Sequence, residues 1–223
     1  MAYSTIPKGS LHMNPVIYTG NGSADRAITG AGFAPNWVWI KKRSSADVHY
    51  IFDSVRGADI QLQSNSNAAQ YDYSGDANRS LTAFDSDGFT LGTNEGVNHN
   101  SQTFVSWNWY LFCKMKAGQF NSSATFNSNV FSVGGEGDTN ESSSTIVAYC
   151  FSEIKGFSKF GTYVGNGSTD GTFVYTGFKP AFLIVKKTDS VNSWVMFDNK
   201  RSSSGGSNEI DYSLTANEAV GYY

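Results

Sequence analysis

The sequence predicts an all-β protein made of two related β-sandwich units in tandem, with very little helix. Three observations lead to this prediction: the composition, the short apolar runs between turn clusters, and two internal repeats. Of the 223 residues, 16% are charged and 15% aromatic, and 23 are glycines against only 4 prolines. Such a composition is typical of strands joined by many tight turns. The apolar runs recur at the spacing of roughly 8–12 residues that β-sandwiches show.

One block of the chain occurs twice, 145 residues apart (163 − 18 = 145). Block A1 (residues 18–56) and block A2 (residues 163–201) share Tyr-x-Gly-Asn-Gly-Ser, then Gly-Phe-x-Pro, then Phe-Asp-x-x-Arg, without a gap. The shared residues are turn, packing and aromatic residues with one Asp/Arg pair. A repeat that keeps such residues indicates a repeated fold.

A second block repeats at a spacing of 42 residues (126 − 84 = 42). Block B1 (residues 84–109) and block B2 (residues 126–151) share Phe-x-Ser-x-x-Phe-x-x-Gly and a later apolar run. The order along the chain is A1, B1, B2, A2, so the pattern calls for another B block after A2. We therefore expect that the second unit is assembled differently, or that the sequence is part of a longer protein.

The sequence divides into a predicted N-terminal arm and two predicted units. Residues 1–15 are polar, lack a period and end in Asn-Pro, so we predict an N-terminal arm that becomes ordered against a partner. The first unit is then predicted over residues 16–115, and the second, whose completeness the block order leaves open, over residues 116–223. The polar stretch at 116–123 marks the boundary between them.

Strands are predicted at the apolar runs, and two of these runs stand out. Residues 37–40 and 182–185 are apolar on both alternating faces, which is typical of a strand in the centre of a packed sheet. The only helix candidate is short, at residues 66–70. The remaining strands are predicted at residues 16–18, 49–52, 89–91, 103–110, 130–133, 145–151 and 194–197.

Charge and hydropathy exclude several classes of partner. The net charge of −3 gives no reason to expect binding to nucleic acid or to an anionic membrane surface. No stretch is apolar over the ~18 residues that a membrane span requires, so we predict no membrane insertion. The N-terminus lacks the apolar segment of a secretory signal, so export by that route is not expected.

No set of residues with the pattern of a catalytic or metal site is found. The three histidines, His12, His49 and His99, are far apart and align with non-histidine residues in the repeats. Cys113 and Cys150 have no Cys or His at ligand spacing, which argues against zinc and leaves a disulfide between them open. We therefore predict a protein that is not an enzyme and needs no cofactor and no metal.

The repeated Asp/Arg pairs are the most conspicuous charged motif: Asp53 with Arg56, and Asp198 with Arg201. They are compatible with a sugar- or phosphate-binding charge pair. The favoured interpretation is structural, with each Asp accepting hydrogen bonds from turn amides and from its own Arg. In the same way, the acidic stretch at residues 85–88 is interpreted as a turn rather than a calcium loop, because its counterpart at 127–130 carries no acid.

Aromatic residues divide into a predicted core set and a predicted surface set. Trp107, Trp109 and Tyr110 could stack on a sugar ring, but Trp107 and Trp109 align with aromatic residues in B2, as expected of a core face. The candidates for exposed contact residues are tyrosines in polar surroundings, namely Tyr71, Tyr73, Tyr222 and Tyr223.

These motifs together resemble repeat domains of unknown function in tail-fibre-like and minor structural virion proteins of marine bacteriophages. The resemblance covers roughly residues 14–220 and rests on the A and B blocks quoted above. It implies a lectin-like sandwich of the jelly-roll or concanavalin-like kind, a location in the virion and no catalytic residues. The departure from the family pattern is the missing final B block.

The resemblance implies a fibre or adhesin that contacts host-surface glycans, with the arm at residues 1–15 attached to other virion proteins. We expect a homo-oligomer, with a trimer favoured, because several weak sites raise avidity. The main alternative is an assembly protein, such as a head-decoration or tail-sleeve component, without a ligand. A glycan-processing enzyme would need two carboxylates roughly 5–10 Å apart in a cleft.

Overall fold

The computed structural model describes residues 8–110, 125–126, 131–133, 137–201 and 212–219. The chain forms two compact units, one of residues 1–111 with 153–223 and one of residues 112–152. This division differs from the predicted ranges 16–115 and 116–223, because the chain returns to the first unit after block B2. The predicted boundary at 116–123 lies outside the described residues.

The larger unit contains a sandwich of two antiparallel sheets formed by the first half of the chain. Its strands are β1 (Met13–Thr19), β2 (Arg26–Thr29), β3 (Trp37–Lys42), β4 (His49–Asp53), β5 (Gly57–Gln63), β6 (Tyr71–Asp72), β7 (Leu81–Asp85), β8 (Gly88–Leu91) and β9 (Thr103–Trp109). One sheet has the order β1-β9-β3-β4-β5-β6 and the other the order β2-β8-β7. The prediction of an all-β sandwich with little helix is confirmed.

The inner faces of the two sheets enclose one apolar core. Val38 and Ile40 of β3 and Phe52 of β4 pack with Phe89 and Leu91 of β8, and all five are buried. Alternate side chains of a strand point to opposite faces, so one set of positions in β3 and β4 builds this core. Each such side chain adds roughly 1.5–3 kcal/mol to the free energy of unfolding when it is fully buried.

Strand β3 is buried on both of its faces, as the prediction for residues 37–40 requires. All six of its residues are buried, and it lies between β9 and β4. Trp37 and Trp39 alternate with the core residues Val38 and Ile40, so they point to the outer face of the sheet. The outer face of this sheet is therefore covered as well.

The predicted N-terminal arm is too long by at least three residues. Strand β1 begins at Met13 and pairs with β9, with Pro15 opposite Trp107. β1 is an edge strand, where the missing N–H of a proline can face away from the ladder. A short 3₁₀ helix, Gly9–Leu11, precedes it, and residues 1–7 lie outside the described part of the chain.

The helix prediction at residues 66–70 is wrong, because this stretch has no regular secondary structure. The α-helices that the structure describes are α1 (Glu95–Asn98) and α2 (Gly137–Asn140), each about one turn long. Helix α1 begins after Asn94, whose side chain accepts a hydrogen bond from Gly96 N. A side chain of this kind stabilises even a single helical turn.

Block A2 adds a three-stranded sheet to the larger unit. Its strands are β12 (Phe182–Val185), β13 (Val195–Asp198) and β14 (Leu214–Thr215), in that order. Phe182 lies opposite Asp198 in β13, as Trp37 lies opposite Asp53 in A1. Both blocks therefore form the same hairpin in the same register.

The prediction that residues 182–185 form a central, doubly buried strand is wrong. β12 lies at the edge of its sheet, and Leu183 and Ile184 are exposed. In block A1 the neighbour on that side is β9 of block B1. The corresponding residues of B2, 145–151, were predicted to be a strand, but they have no strand conformation here. The apolar pattern is the same, but among the described strands β12 has a neighbour on one side only, β13.

The smaller unit contains strands β10 (Thr125–Phe126) and β11 (Phe131–Ser132), followed by α2. Phe126 pairs with Phe131 as Phe84 pairs with Phe89 in block B1. Helix α2 also occupies the positions 42 residues after those of α1. The hairpin and the helix of the B block are thus both present twice.

Candidate functional site

The first Asp/Arg pair closes the turn after β4. The Oδ1 atom of Asp53 accepts hydrogen bonds from the backbone N–H groups of Val55 (3.1 Å) and Arg56 (2.9 Å). Its Oδ2 atom accepts one from Nε of Arg56 at 2.6 Å, and the same guanidinium donates to the carbonyl oxygen of Ile51. The carboxylate is buried and engaged on both oxygens, which is the arrangement that the structural interpretation requires.

The second pair repeats this geometry and adds one donor. Asp198 accepts from the backbone N–H groups of Lys200 (3.0 Å) and Arg201 (3.2 Å), and from Nε of Arg201 at 2.6 Å. The indole N–H of Trp107 also donates to its Oδ2 atom at 2.9 Å. Asp198 and Arg201 are each only 1% exposed. The pair therefore connects A2 to the first sandwich and leaves no oxygen directed at solvent.

Block A2 covers the tryptophans of strand β9. The ring of Phe182 lies 5.8 Å from that of Trp107 and 5.4 Å from that of Trp109, and the guanidinium of Arg201 lies over Trp107. Both tryptophans are buried, so the prediction that they belong to a core face is confirmed. Tyr110 is different: it is exposed and contacts His12 and Phe33 by its ring.

A buried polar cluster on strands β3 and β4 was not predicted. The ammonium of Lys41 donates to the carbonyl oxygens of Asp47 and Ala219, and the ammonium of Lys42 pairs with the carboxylate of Asp47. Burial lowers the pKa of Lys41 to about 8. The doubled lysine at the end of an apolar strand was the available signal, but it does not reveal that the strand is covered there.

The imidazole of His49 belongs to the same buried region. Its Nδ1 atom accepts a hydrogen bond from the indole N–H of Trp39 at 2.9 Å, so that nitrogen carries no proton. Burial, with the nearby charge of Lys41 as the second cause, lowers the pKa of His49 to about 3. A ring that is neutral and enclosed in this way has a structural role, not that of a proton shuttle.

Tyr71 and Tyr73 form a pair of aromatic rings in contact with each other. It lies at β6, the edge strand beside β5. The two rings are 4.3 Å apart between centroids and inclined at 54°, and Tyr71 is 50% exposed. The hydroxyl of Tyr71 donates to Oδ2 of Asp76 at 2.9 Å, and this bond is the main cause that raises its pKa. The other two predicted contact residues, Tyr222 and Tyr223, lie outside the described residues.

The backbone of Tyr73 is hydrogen-bonded to Asp59, a residue with a buried carboxylate. The N–H of Tyr73 donates to the carbonyl oxygen of Asp59 at 3.0 Å. The carboxylate of Asp59 is buried and pairs with the guanidinium of Arg79, whose Nε donates at 3.0 Å. Arg79 also lines a cleft of about 140 Å³ together with Asp25 and Thr93. That volume is below the roughly 300–1,000 Å³ of most small-molecule pockets, so this cleft is too small for a ligand of that size.

The acidic turn at residues 85–88 closes the β7–β8 hairpin. Both oxygens of Asp87 accept backbone N–H bonds, from Gly30 at 3.2 Å and from Gly32 at 2.6 Å. Oδ2 of Asp85 accepts from the hydroxyl of Thr90 at 2.7 Å. These carboxylates therefore stabilise the turn.

Among the residues that the structure describes, no group of three or more metal-ligating side chains occurs, and none of the described helices could cross a membrane.

These features define a class of protein: a tandem-repeat β-sandwich whose repeated charged motif stabilises turns. The chain belongs to the family described as "Domain of unknown function (DUF7483)", which matches it twice, over residues 8–113 and 112–221. The two matches agree with the presence of two units in tandem. No curated protein and no solved structure matches the sequence.

Proposed function

We propose that this protein is a non-enzymatic structural protein of a bacteriophage virion, of the fibre or adhesin kind, that contacts host-surface glycans. The observation that carries the proposal is the tyrosine pair at the edge of the sandwich, in which Tyr71 is 50% exposed and its ring lies 4.3 Å from that of the half-buried Tyr73. The virion location rests on the resemblance of the A and B blocks to phage structural repeats. Attachment to other virion proteins is assigned to the residues that precede strand β1, residues 1–12.

The chemistry of the pair suits a sugar ring. The face of a tyrosine offers apolar area at a low cost in conformational entropy, and its hydroxyl provides a polar contact. Asp76 fixes the hydroxyl of Tyr71, and Asp72 begins a tight turn by accepting from the N–H of Ser74 at 2.8 Å. Both carboxylates can accept hydrogen bonds from sugar hydroxyls. A single site of this size binds weakly, so a homo-oligomer, with a trimer favoured, would raise the avidity.

A glycan array probed with the full chain tests this proposal. We expect binding to a subset of bacterial surface glycans and a loss of at least about tenfold, equal to about 1.4 kcal/mol, in the double variant Tyr71→Ala/Tyr73→Ala. Tyr163→Ala is the matched control, because Tyr163 is an exposed tyrosine elsewhere on the unit. Equal binding by the double variant, or binding to no glycan, would contradict the glycan proposal.

A second candidate is an assembly protein without a ligand. Its support is the apolar surface of block A2, where Phe173, Leu183 and Trp194 are exposed. Large apolar side chains exposed on one block become buried when the block contacts another protein. A chain that is present in the particle, binds no glycan and is required for particle assembly would favour this candidate over the adhesin.

A further inference from the structure

The dipeptide Asn-Gly occurs twice in the chain, once in each A block, as Asn21-Gly22 and Asn166-Gly167. Both copies lie within the same four residues, Gly-Asn-Gly-Ser. Both glycines have the same left-handed backbone, with φ of +67°. In each copy Oδ1 of the asparagine accepts a hydrogen bond from the serine N–H two residues later, at 3.0 Å in A1 and 3.1 Å in A2. The two turns are therefore alike locally, and they differ in the residues that hold them.

The A1 copy is bound to a buried asparagine at the end of helix α1. The N–H of Gly22 donates to the carbonyl oxygen of Asn98 at 2.8 Å, and the N–H of Asn21 donates to its Oδ1 atom at 3.0 Å. The Nδ2 atom of Asn98 donates to the carbonyl oxygen of Ser23 at 2.9 Å, and Asn98 is 0% exposed. These three hydrogen bonds fix the backbone of the turn, and one of them engages the N–H of Gly22.

The A2 copy has no such support among the residues that the structure describes. Residues 161–170 are all exposed, and the N–H of Gly167 donates to no carbonyl oxygen of the described backbone. The further bond of Asn166 is local, from its Nδ2 atom to the carbonyl oxygen of Asp170 at 2.9 Å. Both partners of that bond are exposed, so water readily replaces it. The backbone at Asn166 can therefore rotate without breaking a hydrogen bond to another block of the described chain.

We propose that Asn166 is a site of spontaneous deamidation, whereas Asn21, at the same position of the repeat, is protected. The backbone nitrogen of Gly167 attacks Cγ of Asn166. Its proton passes through water to Nδ2, the Cγ–Nδ2 bond breaks, and ammonia leaves a five-membered succinimide behind. Glycine permits this approach because it has no Cβ. Water then opens the ring at either carbonyl and gives aspartate or isoaspartate, which adds one negative charge to the chain.

The same reaction in A1 has to break the contacts with Asn98 first. The attacking nitrogen is that of Gly22, whose N–H is hydrogen-bonded to Asn98, and Asn21 has to rotate away from the Asn98 side chain. We therefore expect deamidation at Asn166 to be at least about tenfold faster than at Asn21, equal to a difference of about 1.4 kcal/mol in activation free energy. This inference does not depend on glycan binding.

Peptide mass spectrometry of the purified full chain, incubated at mildly alkaline pH, tests the proposal. Deamidation raises the mass of a peptide by about 1 Da, and the two Asn-Gly peptides are compared within one sample. In urea the two sites should react at similar rates, because their flanking residues are identical. A ratio of at least about tenfold in the folded chain that disappears in urea supports the proposal. Equal rates in the folded chain, faster reaction at Asn21, or no reaction at Asn166 would overturn it.

Two variants test the site and the attacking atom. The aged chain should develop an acidic band that comigrates with Asn166→Asp on isoelectric focusing, and the aged Asn166→Asp chain should gain no comparable second band. An equal gain in that variant would place the labile residue elsewhere and overturn the assignment. Gly167→Ala, at a position with open space for a Cβ, should slow the reaction at Asn166 and leave that at Asn21 unchanged. An unchanged rate at Asn166 would contradict attack by that backbone nitrogen.

Discussion

The two copies of the Asp/Arg motif should differ in their contribution to stability. Asp198→Ala removes the acceptor for the fully buried Arg201 and for the indole N–H of Trp107. Removing one partner of a buried ion pair lowers the free energy of unfolding by about 3–5 kcal/mol, because the remaining charge is buried and no water can take the place of the lost partner. In Asp53→Ala the remaining Arg56 side chain is 10% exposed, so water can solvate part of it. We expect Asp53→Ala to lower the free energy of unfolding by about 1–3 kcal/mol.

Thermal unfolding followed by tryptophan fluorescence measures the difference. For a chain of this size, 1 kcal/mol lowers Tm by about 2–4 °C, which predicts a loss of about 6–20 °C for Asp198→Ala and about 2–12 °C for Asp53→Ala. Asp189→Ala, at an exposed carboxylate, should change the stability by less than about 0.5 kcal/mol. The double variant Asp198→Ala/Arg201→Met should lose less stability than Asp198→Ala, because it leaves no buried charge without a partner. The reasoning is refuted if Asp198→Ala costs no more than Asp53→Ala.

Three other perturbations test separate contacts of the first sandwich. Gly88→Ala should lower Tm clearly, because Gly88 has φ of +143° and an added Cβ would collide with the carbonyl oxygen of Ile28. The pKa of His49 is lowered to about 3, so its neutral form stabilises the fold above about pH 6.5 and that contribution is lost as the pH falls toward 3. Urea midpoints at pH 7 and pH 4 should therefore differ less in His49→Gln than in the unaltered chain. Arg79→Ala should cost about 1–3 kcal/mol by leaving the buried Asp59 carboxylate without its cation, and an unchanged urea midpoint would contradict this.

The sequence predicts the elements of this fold well where a local pattern determines them. The doubly apolar run at residues 37–40 forms the central strand of the main sheet. The repeat of the A blocks predicts a repeated fold, and Phe182 does lie opposite Asp198 as Trp37 lies opposite Asp53. Turn chemistry and alternation act over a few residues, so the sequence alone carries this information.

Other features depend on which segment covers a strand, and no local pattern contains this information. Phe182–Val185 has the same apolar pattern as β3, yet it lies at an edge because no strand of the described chain flanks it on that side. The burial of Lys41 likewise follows from its contact with the distant residue Ala219. The aromatic face of β9 was assigned to the core, but the segment that covers it, A2, was not foreseen.

We propose that this chain is a component of a virion and contacts the host surface. Electron microscopy of intact particles, labelled with an antibody against this chain, tests this proposal. We expect label on every particle, concentrated on the fibres or other host-facing appendages. Particles that carry no label, while the same antibody detects the chain free in the lysate, would contradict it.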